Sequence, residues 1–285
     1  MNNLNKKDWD DPIDFINQLK PKEAQKSKAQ VWAELEQMMD KPLPKTAKVG
    51  HLFVQKWSVA ASIALLISLT IIAFLRFYTV NVDCLAGEQK MANLPDGSTV
   101  QLNAKSNLSF HPLWWKINRE VKLDGEGFFK VKKGQKFTVI SDKGTTSVMG
   151  TSFNIFARED DYEVTCLTGK VRVKSLLTKD EVIITPNQMV SLNQTGKLNA
   201  NYNVNATLAL DWTMGKFVFT QTPLRKVLAE IGRRYGVDIK GTHNLNQLYT
   251  GNFDKQKEIE PILALVCKPF DIEYKKLPSG AFIME

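Results

Sequence analysis

The sequence predicts a single-span membrane protein with a short helical segment before the span, an all-β domain after it and a small α+β domain at the C-terminus. Residues 57–75 contain no charged side chain. Beyond them, apolar and polar residues alternate, and from residue 211 an apolar helical spacing occurs twice. The predicted parts are an inner helical segment and linker at 1–50, a transmembrane helix at 57–78, a β domain at 87–205 and an α+β domain at 211–285.

The uncharged run of nineteen residues is long enough to cross a bilayer. As a helix it reaches about 28 Å, close to the ~30 Å of the hydrocarbon layer. A buried soluble helix would show a polar stripe, a cleavable signal peptide would begin near the start of the chain, and a lipoprotein anchor at Cys84 would need a small residue in place of Asp83. We therefore expect the span to stay in the mature protein. The residues expected within the span include Trp57, Ile63, Leu66, Ile71 and Leu75.

Positive charge is concentrated before the span, whereas only Arg76 and Lys90 lie within a comparable distance after it. Because loops rich in Lys and Arg stay in the cytoplasm, we expect the N-terminal segment inside and the C-terminal part outside. The lysines before the span are Lys41, Lys45, Lys48 and Lys56.

The inner segment is predicted to form two short helices. The first would begin at Asp11 and stop at Pro21, and the second would begin at the capping pair Ser27 and Gln30. Two helices of this length cannot bury the apolar face of the second, so we expect that face to bind a partner protein in a groove. Self-association or a position on the membrane surface is the alternative. The face consists of Val31, Trp32, Leu35, Met38 and Met39.

The β domain is predicted from short alternating runs separated by turns, which indicate a sandwich, a barrel or a roll. Leu94 to Gly97 predicts a turn, and the Asp124-Gly125 pair predicts a hairpin. Asp160 and Asp161 are expected to face solvent in a loop. Further turns are predicted at Gly144, Gly150, Thr168-Gly169 and Pro186-Asn187.

The C-terminal domain is predicted to be a duplicated α+β unit with two helices on one face of a sheet. Thr222 is expected to cap the first helix and Pro223 to open it. The apolar faces are predicted from Leu224, Val227, Leu228 and Ile231 in the first helix and from Ile259, Ile262, Leu263 and Val266 in the second.

Composition and motifs argue against catalysis and against nucleic acid as a partner. The net charge is +8, but Lys and Arg are scattered among acidic residues, as on a solvated surface. The three cysteines lie far apart, and we expect Cys166 and Cys267 to be buried free thiols. The chain has neither an HExxH metal motif nor a GxSxG nucleophile motif. We therefore expect no enzymatic activity, cofactor or metal.

Five blocks in the β domain together resemble the outer domain of FecR-type transmembrane anti-sigma regulators. They are LPDGSTVQLNAKSNLSF (94–110), GEGFFKV (125–131), VMGTSFNIFA (148–157), VTCLTGKVRV (164–173) and TPNQMVSL (185–192). Residues 211–285 are similar to the C-terminal domain of many Bacteroidetes-type FecR proteins, and in style to the short N-terminal modules of secretins and TonB-dependent transducers.

The resemblance implies a protein of the cell inner membrane of a Gram-negative bacterium, with its C-terminal domains in the periplasm. Its cytoplasmic helices would bind an extracytoplasmic-function (ECF) sigma factor, and its periplasmic domains would sense an outer-membrane TonB-dependent receptor that imports an iron chelate or a glycan. Envelope proteases are the implied route of release.

The sign of regulation stays open, because the inner segment is shorter than a four-helix anti-sigma domain and both inhibition and activation occur in the family. A second hypothesis is a structural adaptor. In that case the outer domains would scaffold an envelope complex and the inner segment would only anchor it.

Overall fold

A computed structural model describes residues 26–40, 51–159, 161–241 and 245–285, with the backbone alone described for 51–56. Helix α1 spans Lys28–Met39 and helix α2 spans His51–Phe77. The predicted first inner helix, the predicted linker at 41–50 and Asp160 lie outside the described residues.

Helix α1 begins with the predicted capping box. The backbone N–H of Gln30 donates to Ser27 Oγ at 3.4 Å, and the backbone N–H of Ser27 donates to the side-chain oxygen Oε1 of Gln30 at 3.0 Å. Two backbone donors at the helix start are therefore satisfied within the segment itself.

Helix α2 contains a stretch of 21 residues, Trp57–Phe77, that is long and apolar enough to cross a membrane, and none of these residues is buried. Its hydroxyl groups bond within the helix: Ser62 donates to the Ser58 carbonyl and Thr70 to the Leu66 carbonyl. Such bonds satisfy polar groups where no water is present, so the serines and threonines are compatible with a membrane span.

The β domain has thirteen strands. They are β1 Val80–Cys84, β2 Lys90–Asn93, β3 Thr99–Leu102, β4 Ser106–Phe110, β5 Arg119–Lys130, β6 Phe137–Ile140, β7 Gly144–Val148, β8 Ser152–Arg158, β9 Asp161–Thr168, β10 Val171–Ser175, β11 Glu181–Ile184, β12 Gln188–Leu192 and β13 Leu198–Asn201.

The long strand β5 is shared by two sheets. Its first half pairs with β4 and β6, and its second half pairs with β3 and β8. The first sheet has the order β1-β4-β5-β6-β7-β10-β11, and the second has the order β2-β3-β5-β8-β9-β12-β13. Neighbouring strands are antiparallel except for the parallel pair of β5 and β6. The prediction of an all-β domain is confirmed.

The hairpin predicted at Asp124 and Gly125 is wrong, because both residues lie inside β5. Gly125 has φ +108° where the strand passes from one sheet to the other, and a Cβ there would lie 2.4 Å from Ser106 Oγ. The glycine is required by the change of sheet, not by a reversal of the chain. The turn predicted at Leu94 to Gly97 is confirmed by a hydrogen bond of 2.8 Å from the Gly97 amide to the Leu94 carbonyl.

Side chains from both sheets form one hydrophobic core. At its centre the rings of Phe129 and Phe153 stack with centroids 5.1 Å apart, and Phe137 meets Phe129 edge-on. Cys166 is fully buried here as a free thiol, and Cys267 is buried in the C-terminal domain, as predicted.

The C-terminal domain repeats a strand, helix and strand order. Its elements are β14 Lys216–Pro223, helix α3 Leu224–Tyr235, β15 Ile239–Gly241, β16 Leu248–Asp254, helix α4 Glu260–Cys267, β17 Tyr274–Lys276 and β18 Phe282–Met284. A 3-10 helix, Ala206–Met214, precedes β14.

The expectation of one sheet in this domain is wrong. Strands β14 and β16 form one antiparallel pair, while β15 pairs in parallel with β18, which also pairs with β17. Each of the two sheets therefore contains strands from both halves of the domain. Both helices pack into one core, which includes Leu228, Ile231 and Leu263. The cap predicted at Thr222 is also wrong, because Thr222 belongs to β14 and Pro223 occupies the N-cap position without a side-chain hydrogen bond.

Candidate functional site

The first candidate site is the apolar face of helix α1. The helix is twelve residues long and has no buried residue in the described part of the chain. The five predicted partner-binding side chains all lie on it and are all exposed. Their exposed fractions are 44% for Val31, 68% for Trp32, 45% for Leu35, 69% for Met38 and 80% for Met39.

The polar side of α1 is also solvated. Lys26 Nζ lies 2.6 Å from Glu34 Oε1, and both side chains are more than half exposed. An exposed ion pair of this kind adds little stability, and a helix of twelve residues is marginal in water by itself. The geometry of α1 is that of a helix whose apolar face is available to another surface.

The five predicted span positions all lie on α2. Trp57, Ile63, Leu66 and Ile71 are 53% to 71% exposed, as expected for side chains that face lipid. Leu75 is partly covered near the end of the helix.

The second candidate site is the junction between the β domain and the C-terminal domain, which sequence reasoning missed. The Gly87 amide donates to the Arg233 carbonyl at 2.8 Å, and Gln89 Nε2 donates to the Trp212 carbonyl at 2.6 Å. Helix α3 and the 3-10 helix before β14 are thereby joined to the segment between β1 and β2.

A buried polar network crosses this junction. Glu126 of β5 accepts hydrogen bonds from Asn103 Nδ2 at 2.8 Å and from Asn154 Nδ2 at 3.0 Å. Asn103 Nδ2 also reaches Glu230 Oε1 of α3 at 3.1 Å, and Trp212 Nε1 donates to Asn154 Oδ1 at 3.3 Å. The two domains are therefore connected through two carboxylates and two amides.

Two sets of interactions have opposite effects on the pKa of Glu126. Burial, reinforced by the nearby charge of Glu230, raises the pKa of Glu126 to about 7. The amide donors Asn103 and Asn154 favour the ionised carboxylate, and their own oxygens are already held by the Ala104 amide and by Trp212. The junction therefore contains an acid that titrates near neutral pH.

Charged side chains surround the network. Arg233 donates to Glu230 Oε2 from Nε at 3.0 Å and from a terminal nitrogen at 2.9 Å. Asp161, which was expected to face solvent in a loop, begins β9 and forms an ion pair with Lys226 of α3. That expectation is wrong because the loop position becomes part of the contact between domains.

An open cleft of about 800 Å³ lies beside this network. Strands β8 and β9 and Trp212 form one side, and β14 and α3 form the other. Among the described residues, no group of three or more His, Cys, Asp or Glu side chains is placed to hold a metal ion. The local signal for the junction was an acid and an amide inside apolar blocks, Glu126 in GEGFFKV and Asn154 in FNIF.

Two family models and two solved structures are similar to this chain. The family model described as FecR protein matches residues 81–172, and the model described as FecR, C-terminal matches residues 216–280. Two crystal structures of a candidate anti-sigma factor from Parabacteroides distasonis, at 2.50 Å and 1.65 Å resolution, match with a TM-score of 0.66 and 25% identity. They cover 73% and 72% of this chain and 98% of their own. No curated protein matches the chain.

Proposed function

This chain belongs to the FecR family of anti-sigma factors, and we propose that it binds an ECF sigma factor through helix α1 and relays a signal from an outer-membrane TonB-dependent transducer. The family is regulatory, and the chain is a single-pass membrane protein. In the proposed topology α1 is in the cytoplasm, α2 crosses the inner membrane and the domains after it are periplasmic, in agreement with the excess of lysine before the span.

The exposed face of α1 is the observation that carries the proposed sigma-factor contact. A helix with Trp32 flanked by Val31 and Leu35 presents a large, rigid aromatic group of the kind that anchors a helix in a groove. Met38 and Met39 extend the face with flexible side chains that adapt to a partner surface. Binding there would hold the sigma factor at the membrane, away from RNA polymerase.

The proposed contact with the transducer is supported by strands with unpaired edges. In the described residues β14 pairs with β16 alone, so each strand has one edge without a strand partner. Such an edge accepts an added strand from another protein through backbone hydrogen bonds. Cleavage by envelope proteases is the proposed route by which the signal releases the inner segment.

Substitution of Trp32 tests the cytoplasmic contact. The sigma factor that co-purifies with the full chain in detergent would be identified and its affinity measured by calorimetry. Loss of an anchoring aromatic side chain removes about 2 kcal/mol or more of binding free energy, so Trp32→Ala should raise Kd by about 30-fold or more. Gln37→Ala, on the polar side of the same helix, is the matched control and should leave Kd unchanged. Equal affinities for both variants would remove Trp32 from the interface.

The adaptor hypothesis predicts a different result. Residues 1–50, fused to a soluble carrier, would retain no sigma factor from lysate, whereas the full chain would still retain envelope proteins. Retention of a sigma factor by the fusion, lost with Trp32→Ala, decides in favour of the anti-sigma proposal.

A further inference from the structure

The end of helix α2 is fixed to the β domain by a very short connection. Only Tyr78 and Thr79 separate α2 from β1. The ring of His111 closes this connection, because its Nδ1 lies 3.1 Å from the Tyr78 carbonyl oxygen and 3.1 Å from Thr79 Oγ1. Strand β1 pairs with β4 so that Val80 lies opposite Phe110. The chain therefore leaves β4 directly beside the end of the span.

The segment that follows β4, residues 111–118, forms the juxtamembrane loop. It contains a single 3-10 turn, Pro112–Trp114. Trp115 points into the core, where its ring meets the rings of Phe110 and Phe137 edge-on. This buried ring fixes the loop to the domain.

The loop also carries apolar side chains that the domain does not cover. Leu113 is 48% exposed and Ile117 is 67% exposed. The guanidinium carbon of Arg76, in the last turn of α2, lies 5.8 Å from the centroid of the Trp114 ring. Trp114 is therefore at the same level as the end of the span, where Phe77 is 71% exposed.

Depth in the membrane follows from this contact. A span of 21 residues that ends at Phe77 places Arg76 and Phe77 at the boundary between acyl chains and headgroups. Side chains fixed against Arg76 lie at the same boundary. Trp and Tyr are enriched there because one part of the ring is apolar and the other polar.

The charges at this end of the sheet suit a phospholipid surface. Lys116 lies within the loop, and Lys136 immediately precedes Phe137, which pairs with Arg119 just after the loop. Both lysines are exposed. Glu120 is the acidic residue closest in sequence, and its carboxylate accepts a hydrogen bond from Asn118. Cations beside exposed Leu and Ile side chains and a half-buried Trp form the composition of an interfacial membrane contact.

We propose that the juxtamembrane loop is a second membrane-binding site, in which Leu113, Trp114 and Ile117 insert into the headgroup boundary of the leaflet where α2 ends. The occupant is the bilayer that already holds the span, because the loop lies against the end of that helix. The β domain is then attached at two points, and its orientation relative to the membrane is fixed.

An environment-sensitive probe on the full chain tests this site. Ile117→Cys would be labelled with NBD in nanodiscs that hold one chain each and contain phosphatidylglycerol and phosphatidylethanolamine. The native thiols are buried and should not react in the folded protein. Leu177→Cys is the matched control, because Leu177 is 71% exposed and follows β10 at the opposite end of the same sheet.

The proposal predicts that lipids with a nitroxide near the headgroup quench the probe at 117 at least three-fold more than the probe at 177, with a blue-shifted emission at 117 only. Equal quenching at the two sites would overturn it. A blue shift at 117 without lipid quenching would also overturn it, because a protein surface would then cover the loop. Leu113→Ser in the Ile117→Cys chain should reduce the quenching while the thermal unfolding curve stays the same.

Discussion

Helices α1 and α3 have the same length, twelve residues, but opposite relations to the rest of the chain. Helix α1 has a complete capping box and no buried residue among those described, whereas α3 has six buried residues and no side-chain cap. Within the described residues, the first helix is therefore stabilised by local hydrogen bonds, while the second is stabilised by tertiary packing. This difference separates a segment for which we propose a partner from one that holds two domains together.

The largest expected effect is on the packed helix. Leu228 is 2% exposed in the core of the C-terminal domain, so Leu228→Ala should lower the free energy of unfolding by about 2–5 kcal/mol. The same substitution on α1, Leu35→Ala, removes a side chain that is 45% exposed and should change this free energy by less than about 0.5 kcal/mol.

Urea unfolding of the detergent-solubilised chain, followed by the fluorescence of the buried tryptophans, measures both values. Leu35→Ala should instead weaken binding of the sigma factor. Comparable losses of stability in the two variants would show that α1 is packed within the chain, contrary to the comparison.

A pH titration sharpens the comparison at the junction that α3 makes. The pKa of Glu126 in the folded protein is about 7, above its ordinary value of 4.5, because of burial and then Glu230. Between these pH values the folded state binds more protons than the unfolded state, so stability falls as pH rises. The contribution is fully present below about pH 4.5 and is lost as pH rises through 7, with a change of up to about 3 kcal/mol.

Urea midpoints at pH 5 and pH 7.5 check this direction. Glu126→Gln should flatten the dependence on pH, although it lowers stability throughout, because its amide group meets the amide donors of Asn103 and Asn154. Glu36→Gln on the solvated helix α1 is the control and should leave the profile unchanged. A stability that rises between pH 5 and pH 7.5 and loses that rise in Glu126→Gln would contradict the assignment.

Sequence patterns predicted the features whose cause is local. The capping box at Ser27 and the turn closed by Gly97 depend on residues within three positions of each other. The uncharged run of α2 is likewise visible without any knowledge of its neighbours. For such features the physical cause is contained in a short window of sequence.

Features that depend on distant neighbours were not predictable in the same way. An Asp-Gly pair is a hairpin signal by itself, but at Gly125 the neighbour that excludes a Cβ is Ser106 of β4. The network at the junction joins Glu126 to residues 23 and 28 positions away and to a helix of the next domain. Strand pairing decides these contacts, and one sequence does not specify which strands pair.

The smallest predicted effect compares the two helix starts directly. Ser27→Ala removes the side-chain acceptor of the α1 capping box and should lower helix stability by about 1 kcal/mol, a factor of about five in the helical population. Thr222→Ala, next to the start of α3, removes a hydroxyl that bonds to the Thr220 carbonyl within β14 and not to the helix. Its effect on stability should stay below about 0.5 kcal/mol.

Circular dichroism at 222 nm of a peptide spanning residues 26–40 measures the first effect, and urea unfolding of the full chain measures the second. The loss at Ser27 should reappear as weaker binding of the sigma factor, because the partner must then order a helix that is less often formed. If Ser27→Ala leaves the peptide spectrum unchanged, or if Thr222→Ala destabilises the chain by 1 kcal/mol or more, as expected for loss of a helix cap, the distinction between a locally stabilised and a packed helix does not hold.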